Sequence, residues 1–191
     1  MIGGGARGIV AVVSGPSGVG KTTVIDGLLR RPGYSRSITA TTRAPRPGEK
    51  EGVHYLFLAR ERFEEDLAKG RFLEHATVHG NLYGTPRDGV ESVLARGEVC
   101  LLNIDVQGAA SLRASGLPVV TVFLLPPSME ELERRLSNRG TEGPGEAARR
   151  LAIARKEMEQ QHLFDARVVN RDVAAAVEEI ASFVETRRRG R

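Results

Sequence analysis

GPSGVGKTT, residues 15–23, decides the architecture of this 191-residue chain. Gly15, Gly20, Lys21 and Thr22 fall in the fixed places of the pattern G-x-x-x-x-G-K-[ST]. An apolar run at 9–13 precedes the stretch, and a helical-looking VIDGLL at 24–29 follows it. Strand, glycine loop and helix in that order make a phosphate-binding loop. Successive backbone N–H groups at a helix N-terminus face anionic oxygens, and glycine permits their close approach. Lys21 brings a point charge to the transferring phosphates and the Thr22 hydroxyl suits Mg2+. Pro16, Ser17, Gly18, Val19 and Thr23 complete the wrap around a triphosphate.

Working outward, apolar runs rich in Val and Ile recur at 99–104, 119–125 and 166–169. Continuous runs of this kind read as strands buried on both faces of a parallel sheet. Met129, Leu132 and Leu136 repeat at helical spacing, as do Ala147, Leu151, Ala154 and Met158, and then Val173, Val177, Ile180 and Val184. The pattern predicts an α/β fold, with the phosphate loop on a parallel sheet flanked by helices.

Residues 36–97 break this alternation. Thr, Tyr, Val and turn residues in SITATTRAPRPGEKEGVHYLFL (37–58) and RFLEHATVHGNLYGT (71–85) predict short antiparallel strands. RERFEEDLAKG (60–70) predicts a helix ended by Gly70. TPRDGVESVLARG (85–97) predicts another, with Thr85 as N-cap, Pro86 at the first helical position and Gly97 past the end. A Gly/Pro loop at 140–145 separates two arginine-bearing helices, the composition of a mobile flap. The expectation is one domain, 1–191. Its core is 1–35, 98–132 and 161–191, with a mixed α+β insertion at 36–97 and a helical lid at 133–160.

Composition bounds the function. With 40% hydrophobic, 27% charged and 5% aromatic residues the chain reads as an ordinary globular protein. No apolar run approaches the roughly 20 residues of a membrane helix, and residues 1–8 lack the apolar segment of a signal peptide. A cytoplasmic location is expected. Cys100, the only cysteine, stands in apolar EVCLLNID and reads as a core thiol. The net charge of +4 comes mainly from arginine, whose fork suits phosphate. Nucleic acid is not an expected partner. There is no basic stripe interleaved with aromatics, and the run at 187–191 is a terminal tail.

A phosphate loop alone does not name a reaction. The insertion adds Arg43 and Arg46, three apart, with Tyr55 and Tyr83. Two guanidiniums and two phenols suit a monoester phosphate, since arginine forks match its oxygens and tyrosine O–H groups add neutral donors. With SGPSGVGKTT, TTRAPRPGEKEGVHY, FLEHATVHGNLYGT, NIDVQGA and RRLSNRGTE in this order, the chain resembles the guanylate kinase family from about residue 8 to 172. That resemblance implies transfer of the ATP γ-phosphoryl to GMP, and to dGMP, with Mg2+. It implies that Arg43, Arg46, Tyr55 and Tyr83 hold the GMP phosphate while Thr39, Glu74, Thr85 and Asp105 read guanine. It further implies that Arg135, Arg139 and Arg150 close over the ATP phosphates and act in catalysis with Lys21 and Arg43. Asn170 would contact adenine. Arg149 is the alternative to Arg150.

For Glu74 there is an independent physical case. Guanine presents two adjacent donors, N1–H and N2–H, which one carboxylate accepts together, whereas adenine presents an acceptor at N1 and no 2-amino group. Asn103 stands where many members of the family carry an acid, which leaves Thr22, with Asp105 acting through the metal's waters, to serve Mg2+. His75 and His79 fall in a strand-like stretch at a spacing of about 13 Å, too far to share a metal. Two other functions fit a P-loop chain of this kind: a guanylate-kinase-like module that binds peptides without catalysis, and a kinase for another small phosphorylated acceptor. The first predicts a damaged loop and a missing lid; the second makes the Glu74 and Thr85 pairing superfluous. A monomer or a homodimer is expected.

Overall fold

A computed structural model describes residues 7–78, 80–137 and 144–190, without the side chains of 144–148 and 150. In chain order the elements are β1 (Ile9–Ser14), α1 (Lys21–Leu29), β2 (Tyr34–Arg36), β3 (Ala40–Thr41), β4 (Leu56–Phe57), α2 (Arg60–Ala68), β5 (Phe72–Val78) and β6 (Asn81–Pro86). There follow α3 (Arg87–Ala95), β7 (Val99–Asn103), α4 (Val106–Arg113), β8 (Val119–Leu125), α5 (Met129–Ser137), α6 (Pro144–Glu159), β9 (Ala166–Val169) and α7 (Val173–Arg189). The five-stranded sheet has the order β2-β7-β1-β8-β9 and every pair in it is parallel.

Every residue of β1 is buried, as expected of a central strand covered on both faces. Its side chains alternate between two cores. Ile9, Ala11 and Val13 pack with Val24 and Leu28 of α1 and with Val177, Ile180 and Val184 of α7. Val10 and Val12 pack with Val90 and Val93 of α3, Leu112 of α4, Phe123 and Phe164. Full burial of one such side chain contributes about 1.5–3 kcal/mol, so the two layers hold the sheet from both sides. Among the described residues no helix is long and apolar enough to cross a membrane.

Two neighbours flank β1 at its C-terminal end, where Val13 lies opposite Asn103 and Ser14 opposite Phe123. The strand order reverses about β1, so the loop after it opens at the crevice where parallel sheets take ligands. β2 is a fifth strand that the apolar runs do not announce. Only Tyr34 of its three residues is buried, and it pairs with β7 alone.

The insertion forms a second sheet of order β4-β3-β6-β5. β5 and β6 are an antiparallel hairpin with Glu74 opposite Thr85 and Ala76 opposite Tyr83. Phe63 of α2 stacks on Phe72 at 4.4 Å, and a Cβ on Gly84 would stand 2.9 Å from both rings. Glycine is therefore what lets α2 close on the hairpin. Helix α3 begins one residue later than its capping signal predicts. Pro86 occupies the cap position, without a side-chain bond, and Thr85 is the penultimate residue of β6. Hairpin pairing, together with a buried bond from the Thr85 hydroxyl to Glu74, outweighs an N-cap for α3.

Candidate active site

Gly15, Gly18 and Gly20 hold φ of 142°, 82° and 100°, backbone that side-chain-bearing residues rarely adopt. At Gly15 a Cβ would also stand 2.4 Å from the Leu124 carbonyl oxygen, so β8 itself requires glycine there. No side chain caps α1 at Gly20. The first N–H groups of that helix thus face outward as an anion site. Lys21 Nζ donates to the carbonyls of Gly15 at 2.6 Å and Pro16 at 3.0 Å. Val19 is fully buried, and its carbonyl accepts from Asn170 Nδ2 at 2.9 Å and Arg135 Nη1 at 3.3 Å. Asn170 is 3% exposed, so its amide anchors the loop from below rather than standing as an open turn.

Next to the loop, the C-terminal end of β7 and the hairpin enclose a cleft of about 140 Å3 lined by Thr39, Tyr55, Glu74, Tyr83, Asn103 and Asp105 among others. Glu74 is 6% exposed. Its Oε1 accepts from the Thr85 hydroxyl at 2.5 Å, and its Oε2 lies 2.8 Å from where a Cβ on Gly108 would be. Burial pushes the Glu74 carboxyl above the usual range and the charge of Asp105 adds to the rise, against the pull of the Thr85 donors. Asp105 caps α4, accepting from the Gly108 N–H at 2.7 Å through Oδ1. At the cleft wall, Arg43 lies over the Tyr55 ring at 5.3 Å and donates from Nε to Tyr83 Oη at 3.2 Å. Arg46 is exposed.

Comparison with known proteins bears on this pairing of phosphate loop and polar cleft. The guanylate kinase family profile matches residues 7–187. The chain belongs to the guanylate kinase family. It is 46% identical over 179 residues to a guanylate kinase of Symbiobacterium thermophilum, covering 93% of this chain and 85% of that protein. It is 49% identical over 185 residues to guanylate kinase 1 of Oryza sativa, covering 94% of this chain but 48% of the rice protein. A crystal structure of guanylate kinase from Anaplasma phagocytophilum superposes with a TM-score of 0.78 at 35% identity, covering 96% of this chain and 87% of that one. The SH3–kinase fragment of tight junction protein 3 shares the fold alone, at TM-score 0.52 and 13% identity over 96% of this chain and 58% of that one.

Within this guanylate kinase fold the described structure brings Lys21, Thr22, Arg135 and Asn170 to the phosphate loop, and Thr39, Arg43, Tyr55, Glu74, Tyr83, Thr85 and Asp105 to the cleft. Arg139 and His79 lie outside the described residues, as does the side chain of Arg150; Arg149 is exposed on α6. His75 is exposed on β5, and no group of three or more metal-ligating side chains converges among the described residues. Arg135 shares Glu131 with Arg134, and these two arginines hold that carboxyl down at about 2.

Two carboxylates near the site carry no distinguishing signal in the sequence. Glu157 of α6 keeps Oε2 buried with no hydrogen-bond partner among the described residues. Burial raises its carboxyl and Asp105 adds to the rise, while Lys21 and the Ser17 N–H draw it down, which places Glu157 between the phosphate loop and the cleft. Its only trace in the sequence is a glutamate three residues after the buried Ala154. Glu49, six residues after Arg43 in a Pro/Gly turn, accepts from that arginine.

Proposed function

We propose that this protein phosphorylates GMP and dGMP with ATP, giving ADP and the corresponding diphosphate. The observation that carries the reading is a buried carboxylate, Glu74, in a cleft beside an intact phosphate loop. A phosphate oxygen of GMP attacks the ATP γ-phosphorus in line, the bond to the β–γ bridging oxygen breaks, and ADP leaves with that electron pair. No covalent enzyme intermediate is needed, so the side chains act by position and charge.

In this reading Arg43, Arg46, Tyr55 and Tyr83 grip the GMP phosphate. Glu74 accepts N1–H and N2–H of guanine, with Thr39, Thr85 and Asp105 around the base. Residues 15–23 wrap the ATP phosphates. Lys21 exchanges its bonds to the Gly15 and Pro16 carbonyls for the β- and γ-phosphates. Arg135, Arg139 and Arg150 add charge on the ATP side. Asn170 reaches the adenine side through the loop that it anchors. Mg2+ entering with ATP would be held through the Thr22 hydroxyl and would supply charge neutralisation for the phosphates. The residues fit it: the Thr22 hydroxyl is an exposed hard donor, and the unpartnered Oε2 of Glu157 and the cleft-facing Asp105 suit its waters.

The core is then 1–35, 98–132 and 161–191, with 36–97 the GMP-binding part and 133–160 the lid. The cytoplasm, where nucleotide pools are interconverted, suits the single unpaired Cys100. The chain works as a monomer or a homodimer. A coupled assay of ADP release with GMP, dGMP, AMP, CMP and UMP tests the proposal. Turnover is expected with GMP and dGMP far above the others. Absence of GMP-dependent ADP release overturns it.

A further inference from the structure

We propose that Glu49 is the positioning residue of the acceptor-phosphate grip, fixing the side chain of Arg43 and the backbone of Arg46 with one carboxylate. The inference rests on the reading of Arg43 and Arg46 as that grip. Arg43 Nη2 donates to both oxygens of Glu49 at 2.9 Å, and the Arg46 N–H donates to Oε2 at 2.8 Å. The turn is closed in return by the Glu49 N–H, which donates to the Arg46 carbonyl at 3.0 Å. Gly48, at φ 86°, allows the chain to fold back so far, and Pro45 and Pro47 stiffen it on either side of Arg46.

The remaining contacts of Arg43 show what this leaves for a ligand. Nε is spent on Tyr83 Oη, and one Nη1–H goes to the Ala44 carbonyl at 2.7 Å. The second Nη1–H has no acceptor among the described residues. Tyr83, accepting from Arg43, keeps its own proton to donate. Arg43 and Glu49 are both largely sheltered, at 13% and 17% side-chain exposure, so the pair is better defined than a surface ion pair. Without Glu49 the guanidinium regains its rotamers and must be ordered by the incoming phosphate, which weakens binding. Donors to Glu49, first the Arg46 N–H and then Arg43, hold its carboxyl below the usual range despite desolvation, so it remains charged near neutral pH.

The test combines steady-state kinetics and equilibrium GMP titration on Glu49→Ala, Glu49→Gln, Arg43→Ala and the double variant Arg43→Ala/Glu49→Ala. Glu49→Ala is expected to raise KM and Kd for GMP by about 10- to 30-fold, with KM for ATP within about twofold of the original. Glu49→Gln keeps one acceptor for the Arg46 N–H and falls between. In the Arg43→Ala background, Glu49→Ala adds less than about threefold, because its main partner is gone. If Arg43→Ala weakens GMP but Glu49→Ala does not, the inference is overturned and the grip stands. It is overturned likewise if Glu49→Ala tightens GMP, which would make the carboxylate a competitor of the phosphate, or if the two losses multiply in full. If Arg43→Ala leaves GMP unaffected, the grip itself is misassigned and the inference falls with it.

Discussion

At the scale of single residues, the proposed function assigns the choice of base to Glu74, whose carboxylate is buried. Glu74→Gln keeps the shape but turns one acceptor into a donor facing guanine's own donors. Loss of a charge-assisted bond costs about 1.5–3 kcal/mol, so kcat/KM for GMP is expected to fall roughly 10- to 150-fold. AMP turnover, lacking that bond from the start, should fall far less; equal losses for both nucleotides would remove Glu74 from base reading. The raised carboxyl sets a pH dependence as well. Only the charged form accepts both guanine donors, so GMP affinity should increase as pH rises through a midpoint above the ordinary carboxylate range. The Gln variant should lack that inflection. In the substrate-free protein the sign is opposite. The folded state holds the proton more tightly than the unfolded chain, so stability drawn from Glu74 is present at low pH and lost as pH rises through its folded midpoint. Lys21→Ala should abolish most turnover and leave GMP affinity intact, as read by GMP titration, if the loop whose carbonyls its ammonium bonds is the ATP site proposed above.

At the scale of elements, the hairpin and α4 meet through a glycine. Glu74 Oε2 lies 2.8 Å from the place of a Gly108 Cβ, and Gly108 also donates to the cap of its own helix. Alanine there suits a helix better by about 1 kcal/mol, yet it must push the carboxylate of β5 aside. Gly108→Ala is expected to keep or raise the melting temperature while weakening GMP by about tenfold, with ATP unaffected, since one mispositioned charged bond has that worth. Equal weakening of both nucleotides would show a general disturbance of the sheet end. The phosphate loop has a comparable tie, in which Asn170 of the segment after β9 bonds the Val19 carbonyl. Through that tie a residue far along the chain holds the phosphate loop.

At the scale of the whole molecule, Cys100 reports on cooperativity. It is fully buried in β7, and burial pushes its thiol up to about 12. Reaction with an aromatic disulfide reagent therefore requires opening of the sheet. With one nucleotide at a hundred times its Kd, and binding confined to the folded state, stabilisation is about 2.7 kcal/mol. Cys100 modification should slow about a hundredfold if it proceeds through global opening in rapid equilibrium. Modification indifferent to nucleotide would place the opening outside the ligand-linked unit.

Some features were determined by the chain's own covalent and steric rules. The phosphate loop was legible because glycine at positions of positive φ, a lysine and a hydroxyl at invariant spacing act locally. The strand at 119–125 was legible because a strand buried on both faces is a continuous apolar run, whereas 166–169, at the sheet edge, buries only Val168 and leaves Arg167 and Val169 exposed. Other features were settled only by what the fold sets beside them. Thr85 carries a helix-capping signal, yet it is the partner opposite Glu74 in the hairpin that gives its hydroxyl a buried acceptor. β2 lacks an apolar run because it is short and paired on one side, with one residue inward. Glu49 and Glu157 look like any other exposed glutamates in sequence. Their roles arise from Arg43, the Arg46 N–H, Lys21 and Asp105, groups that a turn or a packed helix brings near them. A carboxylate's chemistry depends on its solvation and on the charges around it, and those are properties of the assembled structure.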